Sequence, residues 1–200
     1  MATAENLIDT LIILFSSSLL FAWVIATAIN RMIHNTGLRL VIYLSAYGLS
    51  LVPIQGTLIA EYIQGYFGNL SVSSIILILL HILSRLSPQP LFQAQEKQSA
   101  FLLLFSTGCF LYPFTMGLTL YDPYALGYQP IGLGAALCAT ALFAWWLKKY
   151  LIMTTILLCI TIFMLQIGDS RNLWDYLIDP LIFLYIIFWF AIHMTRRNKV

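Results

Sequence analysis

Long apolar runs without charge recur along the chain, separated by short polar segments that hold most of its Lys, Arg, Asp and Glu. A hydrocarbon core about 30 Å thick takes roughly 20 apolar residues as a helix. Seven runs approach that length: residues 11–29, 40–60, 66–84, 99–120, 131–147, 150–168 and 180–195. They are mostly apolar on every side and show no short two-residue alternation, which predicts helices rather than a transmembrane barrel. The expected fold is therefore all-α: a polytopic integral membrane protein of about seven transmembrane helices, with residues 1–200 as one helical domain.

The fifth connection strains this scheme, because only Lys148 and Lys149 separate two runs and no Gly or Pro marks a turn. A single helix over residues 131–168 would be about 57 Å long, too long for one crossing even when tilted. The pattern predicts a tight hairpin there. Pro53 and Pro113 fall inside the second and fourth runs and are expected to kink them.

Composition agrees with a lipid environment. The chain is 60% hydrophobic and 9% charged, with a mean hydropathy of +0.88. A water-soluble domain carries roughly a quarter of its residues charged. With a net charge of only +2 there is no basic stripe, and no nucleic-acid partner is expected.

Charge sign then orients the spans. Arg31, Arg39, Arg85, Lys97, Lys148, Lys149, Arg196, Arg197 and Lys199 fall in the first, third and fifth loops and the C-terminal tail, with the acid Glu96. The N-terminus and the second, fourth and sixth loops carry Glu5, Asp9, Glu61, Asp122, Asp169, Asp175 and Asp179, with Arg171 as their cation. By the positive-inside rule the N-terminus lies outside and the C-terminus in the cytoplasm. Ala26-Thr27-Ala28 resembles a signal-peptide cleavage site, but nothing basic precedes the first run and Arg31 follows it, so a retained helix is expected. The minimal loops suit the inner (cytoplasmic) membrane of a bacterium.

Candidate chemistry is sparse within the spans. Cys109, Cys138 and Cys159 lie in three different runs without C-x-x-C spacing, which favours packing over a metal or disulfide site. His81 and His193 sit near the cytoplasmic ends of their runs; a facing pair could ligate a haem, whereas interface anchoring is the simpler role. No cofactor and no metal is predicted. Apart from His81 the spans lack ionisable groups at mid-depth, unlike ion-coupled transporters and proton pumps. Gly132, Ala136, Thr140 and Ala144 form a small-residue stripe at four-residue spacing, the pattern that lets helices approach closely.

Polar and aromatic residues converge on the predicted outer face. They are Glu61 in the second loop, Tyr121, Asp122, Tyr124 and Tyr128 in the fourth, and Asp169, Arg171, Asn172, Trp174, Asp175, Tyr176 and Asp179 in the sixth. In the sixth loop Ser170 is expected to cap a short amphipathic surface helix with Arg171, Asp175 and Asp179 along one side. Asp122-Pro123 and Asp179-Pro180 both suit a helix start, Asp as N-cap and Pro first in the helix. Asn69-Leu70-Ser71 matches a glycosylation sequon, at a membrane boundary that makes its use unfavourable.

Carboxylates beside aromatic rings can hold a hydroxyl-rich ligand, bind a divalent cation, or meet a basic patch on a protein. The resulting expectation is an accessory or binding subunit of an envelope process, whose outer surface faces a partner protein, a glycan or a lipid headgroup. An alternative is a membrane-embedded enzyme acting on a lipid-linked substrate, with Asp175, Asp122 or Glu61 as acid or base and Arg171 holding an anion. A haem-binding subunit is a more distant one.

Overall fold

The computed structural model describes residues 2–30, 33–89, 91–118 and 121–197, with backbone alone for residues 2–9 and for Leu118, Met194, Arg196 and Arg197. Arg31 and Lys199 of the charge pattern lie outside the described residues, as do the side chains of Glu5, Asp9, Arg196 and Arg197. Among the described residues the chain is all-α apart from one minimal hairpin: α1 (Ala2–Ile29), α2 (Thr36–Ser50), β1 (Pro53–Ile54), β2 (Thr57–Leu58), α3 (Ile59–Phe67), α4 (Val72–Leu86), α5 (Ala94–Pro113), α6 (Pro130–Trp146), α7 (Tyr150–Met164), α8 (Leu173–Leu177) and α9 (Pro180–Arg197). Among the described residues, the stretches Thr10–Ile29 and Ala94–Gly117 are long and apolar enough to cross a membrane. Four further apolar helices are shorter: Val72–Leu86, Pro130–Trp146, Tyr150–Met164 and Pro180–His193.

Two compact units divide the chain. The first comprises Met1–Leu70, Ile75–Leu91 and Ile167–Asp169; the second comprises Ser71–Ser74, Phe92–Gln166 and Ser170–Val200.

In the first unit α1 packs on α2 and α3. Ser16, Ser17, Ser18 and Leu19 are all buried, so α1 is enclosed on several sides at that level. Asn35 caps α2, accepting from Leu38 N at 3.1 Å. The guanidinium of Arg39 donates to Ile33 O at 2.8 and 2.6 Å and to Arg85 O at 3.0 Å, tying the first connection to the end of α4. This contact also places a cation on the last carbonyls of a helix, where the helix dipole favours it.

The second apolar run is not one kinked helix. It breaks after Ser50 into the β1–β2 hairpin, with Pro53 paired to Leu58 and Ile54 to Thr57, before α3 begins. Pro53 cannot donate to a helical ladder, and Gln55 and Gly56 at φ 54° and 88° complete a two-residue turn of left-handed residues. Pro113 behaves as expected of a helix-distorting residue. There α5 gives way to a wider π-type turn over Phe114–Leu118, with Gly117 at φ 80°.

In the second unit α5 packs on α7 and α9, and α6 on α7. The α6–α7 connection is the tight hairpin that the length argument required. Lys148 adopts φ 57°, while Lys149 N donates to Ala144 O at 2.8 Å and Lys148 N to Trp145 O at 2.9 Å. These are the paired bonds of a Schellman ending, with lysine in the place usually taken by glycine. Glu96 Oε1 accepts from Tyr150 N at 2.9 Å, joining the start of α5 to the same turn.

The small-residue stripe on α6 is not the packing face. Gly132 and Ala136 are exposed and Thr140 is only half-buried, whereas Leu133, Leu137, Ala141 and Ala144 are buried. Only Ala144 belongs to both sets. Buried apolar area outweighs close backbone approach here, so the leucines set the face.

All three cysteines are free; Cys109 and Cys138 are exposed, and Cys159 alone has a packing role, buried with its thiol donating to Tyr176 O at 3.2 Å and 3.7 Å from Ser73 Oγ. His193 stacks on Trp189 at 3.9 Å between ring centroids, with its Nδ1 3.1 Å from Trp189 O. In the first unit the His81 ring meets Trp23 edge-on at 5.9 Å.

Candidate functional site

Most of the predicted site residues of the second unit meet in one network built around the segment after α7. The N-cap of α8 is Asn172, not Ser170: its Oδ1 accepts from Trp174 N at 3.0 Å. Its Nδ2 reaches across to Tyr124 O at 3.0 Å, and its N–H donates to Ser170 Oγ at 3.0 Å. Asn172 is fully buried, so a polar side chain is accommodated there only because donor and acceptor are both used.

Asp122 does what its sequence context suggests. Its Oδ1 accepts from Tyr124 N at 2.9 Å at the head of a 3-10 turn over Pro123–Gly127. That turn packs on α8, where Trp174 Nε1 donates to Pro123 O at 3.0 Å. Gly127 has no room for a side chain, since a Cβ would overlap the Asn172 carboxamide and the Trp174 ring.

Asp175 faces this turn. Tyr124 Oη lies 2.8 and 3.0 Å from its two carboxylate oxygens, and Ser170 Oγ donates to the second of them. Burial raises the Tyr124 phenol above its ordinary range, and the hydrogen bond to Asp175 raises it further, because both disfavour the phenolate. Tyr176 is buried, donates its hydroxyl to Ser170 O at 2.9 Å, and meets Phe163 edge-on at 5.4 Å.

Asp179 joins two helix starts. Its Oδ1 accepts from Ile182 N at 2.8 Å, capping α9 as the Asp-Pro pair predicts. Its Oδ2 accepts from Ser71 N at 2.8 Å and from the Ser74 hydroxyl, at the beginning of α4. A buried carboxylate with no cation beside it among the described residues is thus held by two N-terminal helix ends, each with outward-facing N–H groups and positive dipole character. Ser71 also caps α4, accepting from Ser74 N at 3.2 Å. The sequon hydroxyl is therefore buried and engaged.

The predicted amphipathic surface helix is corrected in three respects. The helix is five residues long, Arg171 precedes it, and Leu173, Trp174, Tyr176 and Leu177 are all buried. Asp175 and Asp179 are engaged by Tyr124, Ser170, Ser71, Ser74 and Ile182 rather than aligned with Arg171. Five residues give barely more than one turn, too few for side chains four apart to form one exposed face.

Glu61 and Asp169 belong to the first unit. Glu61 caps its own helix, accepting from Leu58 N at 2.7 Å, and Asp169 accepts from Asn69 Nδ2 at 3.1 Å. In the second unit Tyr121, Asp122, Tyr128 and Arg171 remain exposed, with Tyr128 edge-on to Tyr124 at 5.7 Å. Among the described residues no group of three or more His, Cys, Asp or Glu side chains is arranged to hold a metal ion.

Ser74 and Gly127 escaped the sequence reading, Ser71 entered it only within the sequon, and Ser170 only as the expected cap rather than as a partner of Asp175. Ser71 carried a usable signal, a serine immediately before an apolar helical run. Gly127 carried none, since its role is a long-range close approach. Compared with known proteins, the chain matches no family model, no curated protein and no solved structure.

Proposed function

We propose that the chain is a multi-pass membrane protein, with its N-terminus outside, that serves as a non-catalytic binding or accessory subunit in the envelope of a bacterium. The pairing of its connections supports alternate crossings. Arg39 joins the first connection to the end of α4, and Glu96 joins the third to the fifth. On the acidic side Asn69–Asp169, Ser71–Asp179 and Tyr124–Asp175 join the second and fourth connections to the sixth. Within each unit odd connections meet odd and even meet even, as alternate crossings require. The second crossing is made by α2 and interrupted at Pro53, with α3 following at the outer boundary. The apolar helices of 15–18 residues are about 22–27 Å long, near the thickness of a hydrocarbon core.

The observation that carries the binding assignment is the engagement of Asp175 and Asp179. Every oxygen of both carboxylates already accepts a hydrogen bond from the protein. A general acid or base needs to reach a substrate proton at hydrogen-bond distance, and these groups instead hold the loops together. The result is a stiff platform whose exposed groups are Tyr121, Asp122, Tyr128 and Arg171. Aromatic rings and Arg presented on a rigid support suit a protein partner's polar surface.

A photo-crosslinking phenylalanine analogue at Tyr128, irradiated in intact cells, tests this directly. A discrete protein adduct, lost on Arg171→Ala, is expected. Adducts only to lipid, or none, would contradict a protein partner and return the enzymatic alternative, in which exposed Asp122 and Glu61 are the remaining candidate acids.

A further inference from the structure

The turn between α6 and α7 holds a lysine where glycine would serve the fold better. Lys148 sits at φ 57°, the left-handed position that glycine takes in most helix endings of this kind. A side chain there strains the backbone, and such strain is kept where the residue has a use beyond folding. The turn makes no demand on the lysine side chain, since its hydrogen bonds run through the backbone N–H groups of Lys148, Lys149 and Tyr150.

The surroundings of Lys148 define what that use is. Trp145, Trp146 and Tyr150 are 60%, 71% and 46% exposed, and Lys148 is itself exposed beside half-buried Lys149. Among the described residues no carboxylate pairs with either ammonium; Glu96, the acid of this corner, has its Oε1 on Tyr150 N. Beyond the turn neither α6 nor α7 carries a charge, and Leu142, Leu157 and Leu158 are exposed along them. An acidic protein or a nucleic acid would satisfy the lysines and leave these leucines in water. An amphiphile with an anionic head covers both, with indole and phenol rings at the boundary between head and tail, where such rings are favoured.

We propose that the α6–α7 hairpin binds an anionic phospholipid, with its phosphate on Lys148 and Lys149 and its acyl chains against Trp145, Trp146 and the exposed apolar faces of the two helices. An ammonium suits this task because it meets a phosphate as a point charge with three donors. The site is separate from the acidic platform. It rests on the membrane reading above, and that reading is checked apart: a chain washed from membranes by alkaline carbonate would fail it whatever lipid the hairpin prefers.

The test uses the full chain in mixed detergent micelles containing phosphatidylglycerol or phosphatidylcholine with brominated acyl chains, which quench tryptophan on contact. In the unmodified protein phosphatidylglycerol should quench at a clearly lower mole fraction than phosphatidylcholine, and equal quenching by the two would overturn the proposal. Lys148→Gly relieves the strain at φ 57°, so it should melt no lower than the unmodified chain while its preference for the anionic lipid falls about fivefold, the contribution of one lysine near an anionic surface. Lys149→Gln should lose a similar factor without touching the strained position. A Lys148→Gly protein that folds and keeps the full preference would equally overturn the proposal.

Discussion

Replacing Asp179 by Ala removes one carboxylate from two helix starts at once. At α9 it deletes the cap on Ile182 N, a loss of about 1 kcal/mol. At α4 it leaves the buried Ser71 N–H without its acceptor, about 2 kcal/mol for an unsatisfied buried donor. The Ser74 hydroxyl costs less, because Ser71 Oγ remains within 3.1 Å of it. The sum is about 3 kcal/mol, and at roughly 2–4 °C per kcal/mol for a chain of this size, Tm should fall by about 6–12 °C. Asp179→Asn keeps one side-chain acceptor and should lose about half as much. Thermal unfolding in detergent, followed by tryptophan fluorescence, reads the difference. An Asp179→Ala protein melting within about 2 °C of the unmodified chain would refute the two-helix role, and an Asn variant as damaged as Ala would show that the charge, not the caps, carries the effect.

Gly127→Ala should destabilise by about 1–3 kcal/mol through overlap with the Asn172 carboxamide, while Gly132→Ala, with nothing near its would-be Cβ, should be neutral in the same melting assay. On α6, Leu137→Ala should cost about 2–3 kcal/mol and Ala136→Leu close to nothing; the opposite order would restore the small-residue stripe as the contact face. Absorbance titration should find Tyr124 still protonated where an ordinary tyrosine, of pKa about 10, has ionised. Because its folded value is raised, its contribution to stability is complete below about pH 10 and is lost as the pH climbs through the higher folded value. Tyr124→Phe should abolish that alkaline component, and an unchanged alkaline melting profile would contradict it.

The features legible in the sequence were those that local chemistry decides. Apolar run length located the long helices, and the 57 Å limit on a single helix forced the turn at Lys148, although no glycine marked it. Asp122 and Asp179 announced their caps through the proline that follows each. A proline at position 53 inside an apolar run predicts only a kink, because many spanning helices tolerate one. The break followed because Gln55 and Gly56 both take positive φ and close a hairpin, a joint property of four residues.

The candidate site was legible in membership but not in use. Asn172, Trp174, Asp175 and Tyr124 do meet, yet periodicity assigned Asp175 and Asp179 to one outward stripe with Arg171. Their partners lie about 50 and 105 residues away, at Tyr124 and Ser74. Helical spacing describes only neighbours in sequence. The stripe on α6 failed for a related reason: close-packed small residues and incidental small residues look alike until the opposing helix is known.

Sidedness of the platform is the claim on which the proposed function rests, and single-cysteine accessibility tests it most directly. In a background lacking Cys109, Cys138 and Cys159, Arg171→Cys and Gln95→Cys place thiols at two exposed positions on opposite sides of the predicted topology. A membrane-impermeant maleimide added to intact cells or right-side-out vesicles should label residue 171 at once, and residue 95 only after permeabilisation. Labelling of residue 95 from outside with residue 171 protected would place the acidic platform in the cytoplasm and contradict the account.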